Sequence, residues 1–313
     1  MFSLQPSEIQ RAVADTVGSF CRENPASTIL AEPEERLPAA WRALGQLGVF
    51  SLASGQDQGG MLEATTALEG LGSAGFPGPL AASFLATDVL DTAEAAAVAS
   101  GEKIVTFGPG PLIPWARLAD LMISLDDECL VLVEPDGDIE TVATVGGEPW
   151  GRCDLKIVGQ LATGDPLLNA FARYDTALAA YTIGLARELV RRATEHVGTR
   201  RQFGRALGEF QAVAHPLADC TTKLSAGSTL AARAAFAIDH GENDRPRRAA
   251  ASWIWAREAA VETITVCHQA FGAMGITLEG PVYELSRRIR QTVSQEQYRQ
   301  ECLAELMIEP LAI

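Results

Sequence analysis

Beyond residue 165 the chain runs in long alanine-rich segments with few breakers, and this restricts the fold more than any other feature. TALAAYTIGLARELVRRATEHVG, EFQAVAHPLADCTTKLSAGSTLAARAAFAIDH and RPRRAAASWIWAREAAVETITVCHQAFGAMG follow one another, and PVYELSRRIRQTVSQEQYRQECLAELM completes a set of four. Their apolar residues recur at helical spacing and cover more than one face. Helices of roughly 25–35 residues span about 40–50 Å at 1.5 Å per residue. Such faces are buried only against one another, which predicts an up-down four-helix bundle over residues 165–313. Gly241 closes the second helix and Pro246 stands in the first turn of the third, the positions each residue favours. Apolar surface left over on these helices predicts an oligomer rather than a monomer.

Two shorter regions precede the bundle. Residues 1–98 read as a helical domain. In PSEIQRAVADTVGSFCRE, Ile9, Val13, Val17 and Phe20 share one helical face behind an entry signal at Pro6 or Ser7. LPAAWRALGQLGVFSL gives a helix stopped by Gly48, and Phe76-Pro77-Gly78-Pro79 separates two further helices. Residues 99–164 change character. KIVTFG, DLMISL, ECLVLVE and DLKIVG are short β-branched or apolar runs between Gly, Pro and Asp clusters. They predict a small antiparallel sheet with a hairpin at Asp136-Gly137. The fold class expected is therefore mainly α with a small β domain between two helical ones.

Charge and cysteine usage exclude several classes. Lys+Arg 25 against Asp+Glu 40 gives a net charge of −15, so no global positive field draws the chain to nucleic acid. No apolar run approaches the ~18 residues of a membrane span. MFSLQPSEIQ has no basic run followed by an apolar core, so no secretory signal is expected and a cytoplasmic location is. Cys21, Cys129, Cys153, Cys220, Cys267 and Cys302 stand far apart, as buried thiols rather than a disulfide frame or zinc site. Four histidines without HExxH-like spacing predict no metal centre.

Within this acidic chain, Arg187, Arg191, Arg192, Arg200, Arg201 and Arg205 form a local cationic cluster around Thr199-Arg200-Arg201-Gln202-Phe203-Gly204. The spacing reads as a helix end closing on Gly204, with guanidiniums and an aromatic ring beside the turn. Arginine forks suit phosphate oxygens, and an aromatic neighbour can stack on a planar ring. The alternative is a solvated basic face paired with Glu188 and Glu195.

RRQFGRALGEFQAVAHPLAD resembles the RxQFGxxIxxFQ signature of the acyl-CoA dehydrogenase family. Gln269-Ala270-Phe271-Gly272-Ala273-Met274-Gly275 is similar to the family's Q-x-x-G-G-x-G turn, and GITLEGPVYELSRRIR follows it in the expected place. GVFSLASGQDQGG, LEATTALEGLGSAG and the FPGPL break resemble the N-terminal part of short actinobacterial members. The resemblance spans at least residues 5–95 and 175–305. It implies an acyl-CoA dehydrogenase-like subunit, with an N-terminal helical domain, a middle sheet domain and a C-terminal bundle that builds the oligomer. It implies FAD lying across a subunit interface, with Arg200, Phe203, Gln211, Gln269, Gly272 and Gly275 on the pyrophosphate and ADP half. An acyl-CoA substrate, and an electron-transfer flavoprotein or equivalent acceptor, are implied with it.

The family's catalytic glutamate falls, counting from Gln269 without a gap, at Glu296. A base there needs a carboxylate near the thioester α-carbon with its pKa raised by burial; otherwise Glu296 is a solvated glutamate on a polar helix. Its YEGT context is missing. The middle region also lacks the family's T-E-x-x-x-G-S-D loop and W-I-T-like strand, which contact the flavin ring, and Asp175 stands where many members place a substrate-binding arginine. These departures resemble one chain of the heteromeric α2β2 dehydrogenases of actinobacterial steroid catabolism. Three functions stay open: a dehydrogenase subunit acting with a homologous chain, a non-catalytic chain that completes the other's FAD site, and a flavin-independent enzyme on this scaffold. Trp253, Trp255, His268, Cys220 and Cys267 read as packing residues. Arg287, Arg288 and Arg290 either steer an anionic ligand or form a solvated helix face.

Overall fold

A computed structural model describes residues 5–52 and 59–294. Helix α1 (Glu8–Glu23) starts where Ser7 Oγ accepts the Gln10 amide at 3.1 Å and Gln10 Oε1 accepts the Ser7 amide at 2.8 Å, a reciprocal cap. Its second half buries Val17 and Phe20. Ile9, expected on the same face, is 46% exposed, because the first turn of α1 borders a polar cleft instead of the core. After α2 (Ala26–Ala31), α3 (Pro33–Gln46) buries Leu37, Trp41 and Leu44, and Gly48 ends it at φ 82°. Helices α4 (Met61–Ser73), α5 (Leu80–Ala86) and α6 (Thr92–Ala99) complete the first group. All seven residues of α5 are buried, and the rings of Trp41, Phe50 and Phe84 pack in a chain beside it.

The middle region departs from the single antiparallel sheet expected. Strands β1 (Val105–Phe107), β3 (Leu121–Asp126), β4 (Cys129–Pro135) and β7 (Leu155–Ala162) form one sheet in the order β1-β3-β4-β7, with β1 parallel to β3. Strands β2 (Leu112–Pro114), β5 (Glu140–Val142) and β6 (Trp150–Arg152) form a second sheet in the order β2-β6-β5. The parallel pair arises because the chain visits the second sheet through β2 before returning. Asp136-Gly137 makes no hairpin, since β4 pairs with β3 and β7 while β5 pairs with β6. The tight hairpin lies at Asp127-Glu128, between the paired residues Asp126 and Cys129, with Asp127 at φ 49°. Aspartate tolerates that left-handed backbone.

The C-terminal part is a bundle of four helices, three of them long, while the fourth has 12 residues among those described. Helices α7 (Gly164–Thr199), α8 (Gln211–Asp239), α9 (Arg245–Phe271) and α10 (Tyr283–Ser294) pack together. The central helix, α7, has 36 residues and so runs about 54 Å; it contacts α4, α5, α8, α9 and α10. Alanine and glycine allow these close crossings. A Cβ placed on Gly72 would stand 2.1 Å from Tyr181 O, and one on Gly184 would stand 2.2 Å from Glu69 O, so α4 and α7 touch backbone to backbone. Trp253 is fully buried, whereas Trp255 is exposed and donates to Lys223 O at 2.8 Å. Cys220 and Cys267 are buried free thiols. No helix among the described residues is long and apolar enough to cross a membrane, and no metal-ligand cluster occurs among them.

Candidate functional site

The C-termini of α7 and α9 and the N-terminus of α8 lie at one end of the bundle. Helix α7 does not close on Gly204 as the spacing suggested. It ends at Thr199, and the chain turns back through a two-stranded hairpin, β8 (Arg201–Gln202) and β9 (Arg205–Ala206). At its tip Phe203 and Gly204 both have positive φ, 54° and 83°, the backbone of a tight two-residue hairpin turn. The turn holds the Phe203 ring 90% exposed, edge-on to Phe210.

The six arginines divide into two sets. Arg187 pairs with Glu69, Arg191 with Glu188 and Glu195, and Arg192 with Glu188. Burial acts against the Glu188 carboxylate, but hydrogen bonds from Arg191 and Arg192 hold it below its usual range. For these three the solvated, ion-paired reading is correct. Arg200, Arg201 and Arg205 have no carboxylate partner among the described residues. Arg205 lies over the Phe210 ring at 3.9 Å and Arg201 donates to Gly204 O. The exposed Arg200 side chain is left beside a backbone fixed at both ends, with its amide on His196 O and its carbonyl accepting from Leu207, each at 2.8 Å. Gln211 opens α8 and is exposed.

The end of α9 supplies the facing wall. Gln269 is exposed in its last turn, and Gly272 leaves the helix at φ 60°, ψ −132°, a conformation essentially reserved for glycine. A single 3-10 turn (Gly272–Ile276) follows. A Cβ on Gly275 would lie 2.5 Å from His268 O, so the turn folds flat against the helix that precedes it. His268 itself bonds Ser286 Oγ at 2.7 Å, and burial together with Arg290 lowers its pKa, as fits a packing residue. The His196 and Phe271 rings stack at 4.3 Å and join the two walls. The sequence motifs around Arg200 and Gln269 thus converge. Glu296 lies outside the described residues.

A second polar centre went unrecognised in the sequence. Between the sheets and the bundle is a cavity of about 40 Å³, lined by Thr106, Phe107, Trp115, Glu148, Tyr174 and Tyr181 among others. Glu148 accepts from Gln291 Nε2 at 2.8 Å and faces Arg288. Burial pushes its carboxyl pKa up, against the pull of Arg288 and of hydrogen bonds from the Gly78 amide and Trp115. Arg288 also donates to Gly75 O, and Tyr181 Oη to Phe76 O. Arg288 is therefore a buried structural cation and not part of a steering or solvated face; of its neighbours, Arg287 donates to Val145 O and Arg290 is exposed. Asp175, 1% exposed, is likewise a core group. Nothing in the local sequence around Glu148 signals this centre, because its partners Gly78, Trp115, Arg288 and Gln291 come from three distant segments.

The chain's similarities follow this geometry. A model of the acyl-CoA dehydrogenase C-terminal domain matches residues 168–294, the stretch that carries both walls. Those residues belong to the acyl-CoA dehydrogenase family. The probable acyl-CoA dehydrogenase FadE25 of Mycobacterium tuberculosis is 32% identical over 186 residues, which is 56% of this chain and 46% of that protein. The chain thus spans about half the length of that relative. Acyl-CoA dehydrogenase IpdE2 of Mycobacterium tuberculosis is 26% identical over 98% of both chains. Among solved structures, the ChsE4–ChsE5 complex from Mycobacterium tuberculosis aligns with a TM-score of 0.79 at 18% identity, covering 99% of this chain and 100% of that one. A Tcur3481–Tcur3483 steroid ACAD aligns with a TM-score of 0.77 at 21% identity over 96% of both. The whole described chain has the acyl-CoA dehydrogenase fold.

The two sides of the fold differ in how they fit FAD. The α7–α9 end fits a nucleotide diphosphate: an unpaired guanidinium, an exposed aromatic ring and a glycine turn that admits close backbone approach. The cavity between the sheets and the bundle is too small to enclose a flavin ring. Ligand pockets run to roughly 300–1,000 Å³, whereas about 40 Å³ holds a water or two.

Proposed function

We propose that this chain is a subunit of an FAD-dependent acyl-CoA dehydrogenase, working with a homologous chain in an α2β2 assembly and supplying the pyrophosphate and ADP half of a shared cofactor site. The observation that carries this reading is Arg200, free of carboxylate partners among the described residues, at the bundle end where the Gln269–Gly275 turn also arrives. Arg200 would hold the pyrophosphate, Phe203 would cover the adenosine side, and Gln211 and Gln269 would hydrogen-bond along it. Gly272 and Gly275 would let the backbone approach. FAD, when bound, supplies the hydride acceptor for oxidation of an acyl-CoA thioester to its α,β-unsaturated product.

The ChsE4–ChsE5 complex is a precedent for two chains of this fold assembling, and the steroid ACAD supports a ring-bearing acyl group as substrate class. Electrons would leave through an electron-transfer flavoprotein or equivalent acceptor, in the cytoplasm. Glu296 is the candidate base in this chain. The middle region's lack of the family's flavin-ring loop and strand favours a second reading, in which this chain completes the partner's site and the partner supplies the base.

Co-expression with a homologous acyl-CoA dehydrogenase chain tests the proposal. A yellow heteromer, from a chain that is colourless alone, is the expected result. A colourless complex, or a stable monomer by light scattering with the partner present, refutes it.

A further inference from the structure

The two walls of the nucleotide cradle come from helix ends 70 residues apart, and one aromatic contact joins them. The His196 imidazole stacks on the Phe271 ring with centroids 4.3 Å apart and planes 22° apart. Each ring is a single step from a wall. His196 O accepts the Arg200 amide at 2.8 Å, so the imidazole and the guanidinium share the last turn of α7. Phe271 is the last residue of α9 and directly precedes Gly272. Its ring is buried, so the imidazole packs on the residue from which the turn departs.

Among the described residues, no carboxylate competes for the imidazole. On its own helix Glu195 is taken by Arg191, and Arg200 is the charge that acts on the ring. From α9 it meets Phe271, while His268 is turned to Ser286. On the turn after the hairpin, Glu209 accepts from the Ala206 amide. Burial, and then the Arg200 charge, push the imidazole pKa below its ordinary value of 6.5. Near neutral pH the ring is uncharged and packs as an aromatic.

We propose that His196 is a positioning residue for the cofactor cradle, fixing Arg200 and the Gly272–Gly275 turn at the spacing one pyrophosphate requires. This rests on the reading that FAD binds at this end. What matters is the flat ring, so phenylalanine serves in its place and a non-aromatic side chain of similar bulk does not.

The test uses the full chain with its homologous partner, in the variants His196→Phe, His196→Leu and Arg200→Ala. FAD affinity is measured by fluorescence titration, and amide hydrogen exchange is followed over 200–206 and 270–277 without FAD. His196→Leu, which keeps much of the side chain's volume without the flat ring, should weaken FAD about three- to ten-fold, the scale of one aromatic pair, and speed exchange in both segments. His196→Phe should stay within about two-fold of wild type on that scale. Equal losses in the Phe and Leu variants, or no change in either, overturn the positioning role. Faster exchange in His196→Leu with FAD affinity untouched by Arg200→Ala overturns the cofactor reading, and the positioning role with it.

Discussion

Arg288 Nε stands 3.9 Å from Glu148 Oε1, with the two side chains 6% and 11% exposed. The pair closes the space between sheets and bundle, and Gln291 braces it by donating to Glu148 Oε2 and accepting from the Gly146 amide. It ties α10 to the loop before β6 and, through Gly75 O, to the turn after α4. A buried ion pair of this kind is costly to halve, because the survivor keeps its desolvation penalty.

Arg288→Met should therefore destabilise the chain by about 3–5 kcal/mol in urea unfolding. The double variant with Glu148→Gln should lose clearly less than the two single losses added. Simple additivity would mean that the pair is not coupled.

The same carboxyl sets a pH dependence. Its folded pKa is raised by burial above the ordinary 4.5, so the folded state holds the proton more tightly than the unfolded chain. Its contribution is complete below pH 4.5 and declines as pH rises through the raised value. Unfolding free energy measured from pH 4.5 upward should show a falling component that Glu148→Gln removes. An unchanged slope would place the Glu148 pKa at its ordinary value.

At the α4–α7 crossing, Gly184→Ala drives a Cβ into Glu69 O and the Ser73 amide. Both are backbone atoms and cannot swing aside, so the helices must separate. The expected loss is about 1–3 kcal/mol or more, read from the thermal midpoint. Wild-type stability would show that the crossing is looser than the structure has it.

The bundle helices and the turn motifs at the ends of α7 and α9 were legible in the sequence for different reasons. Long alanine-rich periodicity determines helices locally, and Gly241 and Pro246 punctuate them. Arg200 and Phe203 sit in one short contiguous motif and Gln269 and Gly272 in another, and the two segments are joined by the His196–Phe271 stack. The middle region was less legible. Strands of three residues, such as Leu112–Pro114 and Trp150–Arg152, are too short for alternation to register, and strand partners depend on tertiary packing. Glu148 and Arg288 were missed because a buried charge pair between distant segments leaves no local pattern; Arg288 sits in a run of arginines that looks solvated. Ile9 kept the helical period but overshot the end of the core.

Glu296→Gln keeps the side chain's shape and removes its basicity. If Glu296 takes the thioester α-proton, turnover should fall at least ~10²-fold while the complex stays yellow. An unaffected rate, beside a severe loss at the equivalent glutamate of the homologous chain, would assign the base to the partner and leave this chain the nucleotide half alone.

The flavin-to-protein ratio of the purified heteromer after Arg200→Ala tests the central claim most directly. A charge-assisted contact to phosphate is worth about 1.5–3 kcal/mol, so retention should drop by about one to two decades in affinity. Arg191→Ala, whose guanidinium is already spent on Glu188 and Glu195, should leave the ratio unchanged. Full FAD content in Arg200→Ala, or equal losses in the two variants, would contradict the account.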